Sequence, residues 1–468
     1  MKIGLMLLWI LSNPMNKKIA IIGGGISGLT AAYYLNKKGY SPTIFEASSQ
    51  IGGVIQTKKI DGFTIETGPN TILLSDQRTE DMISDLGLCI EDASPESTKR
   101  YIVKNGKCTA IPMSFRSFFS TSLFSFSTKF KILTEFLRRN KPLEAEESIS
   151  QFIIRRFGKE VLHYAINPFI AGTYAGEPDR LSMKHAFPQF YEIEKQHGSI
   201  IGGLFKERKN KNPFKIKRRT ISFLCGISTF TQKLAEQFRE SIIIQSQVID
   251  ISKNENRYKI KFTQNNDEKS IICDNIICTT PTHALKKITI DGKPFQDFNE
   301  LSTINYPSVI SVSLGYNSED IPHDLSGFGA LVPKRENMNI LGVLFSSSLF
   351  NNRTPQGKSL LTVFMGGSRH PQHFKLENNE RLSLIYGDLK KLLGIRSKPI
   401  FTHESVWKKS IPQYHVGYGH YKSILNMVET KLPGFYFAGN YVNGISIQDT
   451  ILTSMNVVNE KFNFDVRD

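Results

Sequence analysis

The sequence predicts a chain of mixed class, an α/β unit joined to an α+β body, and three observations carry that prediction. Residues 19–46 read as strand, helix and strand in succession; residues 142–205 are rich in helical patterns; and short strands follow one another from Ile242 to Gly366. At 468 residues and 40% hydrophobic, the chain is long enough to bury a sizeable core in two or three domains.

The α/β unit opens with Ile19-Ala20-Ile21-Ile22, an apolar strand that runs into Gly23-Gly24-Gly25-Ile26-Ser27-Gly28. A helical pattern continues through Lys38, Gly39 stops it, and Ser41-Pro42-Thr43-Ile44-Phe45-Glu46 reads as a second strand ending in an acid. Strand, Gly-x-Gly-x-x-Gly, helix and acid in that order form a dinucleotide fingerprint. Gly23 permits the tight turn, Gly25 lets the backbone approach a pyrophosphate, and Gly28 lets helix and strand pack closely. The turn, with Gly24 and Ser27, places unpaired N–H groups and the positive end of a helix dipole at the phosphates. Glu46, 18 residues beyond Gly28, is placed to accept from ribose hydroxyls. A lone carboxylate there fits NAD or FAD and not NADP. The unit is therefore expected to be Rossmann-type.

A helix near Asp76–Leu86, stopped by Gly87, closes the first nucleotide-binding segment, residues 17–95. Ser148 is a plausible cap for a helix over Ile149–Phe157. Strands are read at 242–244, 247–251, 258–262 and 270–278, the last ended by Thr279-Thr280-Pro281. Those at 308–316, 328–332, 340–346 and 360–366 suggest a largely antiparallel sheet. Gly434-Phe435-Tyr436-Phe437-Ala438-Gly439-Asn440 is a strand breaking into a glycine turn, with a helix from about Ile447. The nucleotide domain is thus expected from three pieces, 17–95, 220–285 and 426–468. A helical subdomain at 96–205, a basic loop at 206–219 and a sheet domain at 286–425 lie between them. Residues 1–16 read as an extension upstream of the first strand: their apolar run is too short to span a bilayer, and a small-x-small cleavage site is lacking.

Five cysteines, with no Cys-x-x-Cys spacing, fit a reducing compartment better than a disulfide framework or a zinc site, and no metal is expected. Net charge is +16, and it is concentrated. Residues 99–141 carry ten Lys/Arg against Glu135, and residues 206–219 carry eight against Glu207. The second stretch reads as a solvated loop, and since no recognition motif accompanies the charge, no nucleic-acid partner is expected. The first holds seven phenylalanines between Phe115 and Phe136, flanked by Arg116, Lys129, Lys131, Arg138 and Arg139. Aromatic anchors beside cations suit a lipid interface, and they equally suit the core of a helical subdomain or the lining of a hydrophobic pocket; the readings are compatible, since a channel for an apolar substrate could open at that surface. A cytoplasmic, peripherally membrane-associated protein is the expectation, with a homodimer left open.

Gly52-Gly53 and Glu66-Thr67-Gly68-Pro69-Asn70-Thr71 match FAD-wrapping loops, and Asn167-Pro168-Phe169-Ile170-Ala171-Gly172-Thr173-Tyr174-Ala175-Gly176-Glu177-Pro178-Asp179-Arg180-Leu181-Ser182-Met183 looks like a porphyrinogen-oxidase signature. With Gly327–Pro333, Phe364–Arg369 and Ala438–Tyr441, the chain resembles the FAD-dependent protoporphyrinogen oxidases of the amine-oxidase-like flavoprotein superfamily, from Lys18 to about Asn456. The double glycine is followed by Val54, where a basic residue often stands.

The resemblance implies an FAD domain, a mixed-sheet substrate domain and an α-helical membrane-binding subdomain. It implies FAD held by Gly23, Gly24, Gly25, Ser27, Gly28, Glu46, Gly52, Gly53, Gly68, Pro69, Asn70, Thr280 and Gly439, with the Val248 backbone at the adenine and Ile445 and Ile447 against the flavin ring. Arg100 would pair with a substrate propionate, Gly172 would allow close approach, and Leu331, Leu344 and Phe364 would sandwich a tetrapyrrole. The implied activity is the six-electron oxidation of protoporphyrinogen IX by dioxygen, or of coproporphyrinogen III on the same scaffold. An amine or carotenoid oxidase and a non-catalytic lipid-binding escort are the rival readings. No side-chain acid–base pair stands out, and His163 and His185 read as structural.

Overall fold

The computed structural model describes residues 17–138, 145–207 and 213–462. The extension 1–16, Arg139 of the aromatic stretch and positions 208–212 of the basic loop lie outside the described residues.

Ile19–Ile22 is buried throughout, as a strand covered on both faces requires. It is the middle strand of a five-stranded, all-parallel sheet in the order Ile242–Ile243, Thr43–Phe45, Ile19–Ile22, Asn275–Cys278, Phe435–Phe437. Its alternate residues enter different cores. Ile19 and Ile21 pack with Leu29, Leu35, Phe230 and Ile451, beside the helices Ile26–Lys37 and Ile447–Lys461. Ala20 and Ile22 pack with Ile251, Ile260 and Phe262 of a second five-stranded sheet. Segments from the beginning, middle and end of the chain thus share one sheet.

A seven-stranded sheet forms the second body, in the order Phe401–Trp407, Val309–Asn317, Lys358–Gly366, Ile340–Leu344, Gly329–Leu331, Tyr101–Lys104, Lys107–Ala110. It is antiparallel apart from the pair Gly329–Leu331 and Tyr101–Lys104. One face packs Ile310, Val312, Val363 and Met365 against Ile385, Leu389 and Leu392 of the helix Asn378–Leu393. The opposite face is turned to the site. Helices between Ile149 and Glu207 make the third body, around Phe152, Leu162, Ile170, Tyr174 and Ile193. Ser148 caps the first of these in a reciprocal box with Gln151.

Three local expectations need correction. Residues 270–278 are two strands in two sheets, Asp267–Cys273 and Asn275–Cys278, because Asp274 turns the chain. Its N–H donates to the Lys18 carbonyl at 2.7 Å while its carboxylate accepts from the Lys18 N–H, also at 2.7 Å. Part of the basic stretch 206–219 is not loop, since Lys215–Ser222 is a strand paired with Ile72–Asp76, and Arg219 pairs with Asp92 at 2.8 Å and with Glu80. Within the stretch read as helical, residues 101–110 form a β-hairpin. Its turn, Asn105-Gly106, has both φ values positive (54° and 72°), the form that matches strand twist.

Candidate active site

The glycine turn and the loop after Glu46 face each other across a narrow gap. Gly23 sits at φ 111°, and a Cβ there would lie 2.6 Å from Thr279 Oγ1. A Cβ on Gly28 would lie 1.9 Å from the Gly23 carbonyl oxygen, so the close helix–strand packing is obligatory. Gly25 bridges Gly52, and the Gly52 N–H donates to the Gly24 carbonyl at 2.9 Å. The space beside Gly25 is open: a Cβ would meet nothing nearer than Gly53 Cα at 4.0 Å. That is a cradle a side chain would fill, at the end of a helix whose first N–H groups lack intrahelical partners. These residues fit a dinucleotide diphosphate.

Glu46 is already organised. Its Oε2 accepts from the Gly24 N–H at 2.8 Å, and its Oε1 accepts from the Ser48 N–H and hydroxyl, each at 2.8 Å. The carboxylate is thereby fixed in direction and keeps lone pairs for a ribose. Ser27 is placed differently from Gly25, because its hydroxyl is bonded to Ser454 Oγ at 2.7 Å, leaving its N–H at the helix end. Val248 is buried on the strand that follows the Ser246 N–H bond to the Glu46 carbonyl. Thr280 follows the adjacent strand, its hydroxyl 3.3 Å from the Ile22 carbonyl.

The other wall is the face of the seven-stranded sheet turned away from the helix Asn378–Leu393. Leu331 pairs with Gly342, and Gly342 with Phe364, so the three stand in one row across adjacent strands. Leu344, two residues from Gly342, shares that face and lies opposite Thr362. All three large apolar residues are only half-buried. Across from them runs the helix Asn167–Tyr174, entered through a π-helical stretch, Leu162–Ile166. A Cβ on its Gly172 would lie 2.6 Å from Leu331 Cδ2. The helix is held in place by Asn167, whose Oδ1 accepts from the Lys334 N–H at 2.9 Å and from Arg369 at 3.0 Å.

Arg100, two residues before Ile102, stands at the edge of the row, since Ile102 pairs with Leu331. Its guanidinium stacks over Phe328 at 4.6 Å. Arg100 is exposed at the surface; partial desolvation by its neighbours, and secondarily the charge of Arg218, depress its pKa.

Gly68-Pro69-Asn70 connects the two walls. A Cβ on Gly68 would lie 2.0 Å from the Val54 carbonyl oxygen, so Val54 contributes backbone to this loop. The Asn70 amide donates to the Gly68 carbonyl at 3.1 Å. The Trp407 indole N–H, from the sheet, donates to the Thr67 carbonyl at 2.6 Å. The C-terminal turn is fastened by two tyrosines that the sequence reading missed. The Tyr414 hydroxyl donates to the Asn440 carbonyl and accepts from the Gly444 N–H at 2.9 Å; the Tyr418 hydroxyl donates to the Tyr441 carbonyl at 2.7 Å. Gly439, at φ 141°, lies against the Tyr441 ring, and Ile445 and Ile447 follow, half-buried. An i, i+4 tyrosine pair after Pro412, and one of only two tryptophans, are the signals that could have found them.

A diphosphate cradle, an oriented ribose acceptor and an apolar wall opposite them define an FAD-dependent oxidoreductase, and the chain belongs to the flavin containing amine oxidoreductase family, whose profile matches residues 26–460. Among its relatives is protoporphyrinogen oxidase 2, chloroplastic/mitochondrial, of Arabidopsis thaliana, 34% identical over 93% of this chain and 92% of that protein. Coproporphyrinogen III oxidase of Bacillus subtilis is 29% identical over 93% and 96%. The fold is shared with a crystal structure from Exiguobacterium sp. 255-15, with a TM-score of 0.78, 23% identity and coverage of 95% and 98%. It is also shared with putrescine oxidase bound to putrescine, with a TM-score of 0.68, 18% identity and coverage of 95% and 99%.

Proposed function

We propose that this oxidoreductase converts protoporphyrinogen IX to protoporphyrin IX, a six-electron oxidation of haem biosynthesis with dioxygen as acceptor. The observation that carries the reading is the half-buried apolar row of Leu331, Gly342 and Phe364, against which the Gly172 helix packs and which Arg100 edges. A tetrapyrrole macrocycle needs such an apolar surface, and its propionate suits a guanidinium fork. The relatives named above, one a protoporphyrinogen and one a coproporphyrinogen III oxidase, support the same class of substrate.

FAD, when bound, supplies the two-electron acceptor. The residues here orient and enclose. Arg100 fixes one edge of the macrocycle, Leu331, Leu344 and Phe364 hold its plane, and the close fit at Gly172 excludes water. The substrate gives up three hydride–proton pairs in turn, and three dioxygen molecules leave as three of hydrogen peroxide.

The cations Arg100 and Arg218 at one edge also favour a second reading, coproporphyrinogen III, whose additional carboxylates they could meet. Turnover of both porphyrinogens side by side, followed by porphyrin fluorescence and oxygen uptake, tests both. A preparation that binds FAD yet forms neither porphyrin rejects the substrate class.

We also propose that the protein docks peripherally on anionic membrane. Phe115 (72% exposed), Phe126 (81%) and Phe130 (63%) project from the two short helices Phe115–Ser120 and Phe126–Leu133, alongside exposed Arg116 and half-buried Lys131. Among the described residues no helix is long and apolar enough to cross a membrane. Co-sedimentation with anionic but not neutral vesicles is expected.

A further inference from the structure

The proposed reaction releases a pyrrole proton with each hydride, and no acid–base residue has yet been assigned to receive it. Between the Gly68–Asn70 loop and the sheet lies a small cavity of ≈ 10 Å³, about the space one water needs. Asn70 and Thr362 line it, and Thr362 is the residue directly opposite Leu344 in the substrate-facing row. Ser346 Oγ stands 2.7 Å from Thr362 Oγ1. Glu66 and Arg353 line the cavity too. Glu66 is buried, its Oε1 accepting from the Ile227 N–H at 3.0 Å and its Oε2 from the Thr57 hydroxyl at 2.6 Å. Arg353, 3.4 Å away, is the charged group that faces it, and among the described residues the Arg353 Nη1 has no hydrogen-bond partner. Lys58 and Lys59 of the same hairpin are exposed.

From this geometry we infer that Glu66 is the terminal proton acceptor of the reaction, reached from the substrate row through the Thr362–Ser346 hydroxyls and the water-sized cavity. The inference rests on the proposed porphyrinogen oxidation. In each cycle a bridging C–H bond breaks with its electron pair leaving as hydride, for which FAD, when bound, would be the acceptor. The pyrrole N–H bond breaks, its proton passing to the Glu66 carboxylate to give the neutral acid. The balance closes when dioxygen takes the hydride's electron pair and both protons as hydrogen peroxide, which returns Glu66 to carboxylate. Burial raises the Glu66 pKa to about 7 against the opposing effects of Thr57 and Arg353, which suits a group that must both take and release a proton near neutrality.

The test pairs Glu66→Gln, which keeps the size of the side chain and an oxygen to accept from the Ile227 N–H while its NH2 donates to the Thr57 hydroxyl oxygen, with Thr362→Val, which leaves the carboxylate in place. The wild-type holoenzyme should show kcat rising through about pH 7. Glu66→Gln should lose that limb and at least tenfold in plateau kcat, with FAD content and KM held. Thr362→Val should slow kcat several-fold and enlarge its solvent isotope effect. Independently of turnover, infrared spectra should show a buried carboxylic-acid carbonyl band that titrates near pH 7 in wild type and is missing in Glu66→Gln. An unchanged pH profile in Glu66→Gln, or no titrating band in wild type, overturns the inference while the substrate assignment stands. Failure of wild type to make any porphyrin removes both together.

Discussion

Leu331 occupies the space that a side chain on Gly172 would need, with 2.6 Å separating the Leu331 Cδ2 from the position of a Cβ. The two residues come from different bodies, one from the roofing helix and one from the sheet. Gly172→Ala therefore displaces Leu331 within the proposed substrate row. Because Leu331 is half-buried and its methyl can rotate away, the stability cost should stay near about 1 kcal/mol, the low end of overpacking. The effect should fall on KM, raised several-fold, with FAD content unchanged. Steady-state kinetics beside a melting curve decide it: a large loss of Tm with normal KM would make the contact structural only.

Arg100 should behave in the opposite way, costing at most about 1 kcal/mol in stability, the worth of an exposed cation–π contact. Its guanidinium stacks on Phe328, and among the described residues no hydrogen bond or ion pair engages its side chain. Removing it leaves no orphaned partner. If it binds a propionate, Arg100→Ala should raise KM by roughly ten- to a hundredfold, the worth of a charge-assisted pair. Arg100→Lys should recover only part, since an ammonium cannot form the planar fork. An unaltered KM in Arg100→Ala takes the residue out of the site.

Much of this was readable in advance, and the reason is local chemistry. The glycine turn, Gly39, Gly87 and the Ser148 cap each announce themselves through a backbone conformation or a capping bond that few residue types can supply. Asn105-Gly106 carried an equally local signal for the 101–110 hairpin, but the surrounding cations and phenylalanines drew it into a helical reading. The strand change at Asp274 was not legible, because what breaks it is a pair of bonds to Lys18, 256 residues earlier in the chain. Glu66 was legible as part of a cofactor loop and not as an acid, since its altered proton affinity depends on burial against Arg353 and on a cavity shared with Thr362.

Tyr414 tests the turn proposed to face the cofactor. It is buried, and its hydroxyl satisfies both the Asn440 carbonyl and the Gly444 N–H. Tyr414→Phe keeps the ring and its stacking on Tyr418, 4.4 Å away between centroids, yet strands two backbone groups. The cost should be about 1–3 kcal/mol. FAD should dissociate more readily and its visible spectrum should shift, as the turn through Ile445 loses its anchor. Titration of released flavin with denaturant measures this directly, and wild-type retention with an unmoved spectrum would contradict it.

Acid should destabilise the protein well above the range where carboxylates titrate. Seven histidines, His163, His185, His283, His370, His373, His403 and His415, have pKa values lowered chiefly by burial. His415 is lowered to about 4, by burial first and Arg180 second. In the unfolded chain each returns to about 6.5, so between those values the unfolded state holds protons that the folded state does not. The stability these groups permit is complete above about pH 6.5 and is lost as pH falls toward the folded values. The slope is at most about 1.4 kcal/mol per pH unit for each, less where solvent screens the site. Glu66 acts in the other sense: its raised folded pKa favours the fold at low pH and loses that contribution as pH rises through about 7. One such group against seven leaves the histidines dominant, and Tm should fall steadily from pH 7 to pH 5. His415→Gln should flatten that fall, whereas a Tm independent of pH across this window would mean that these histidines are protonated in the folded protein.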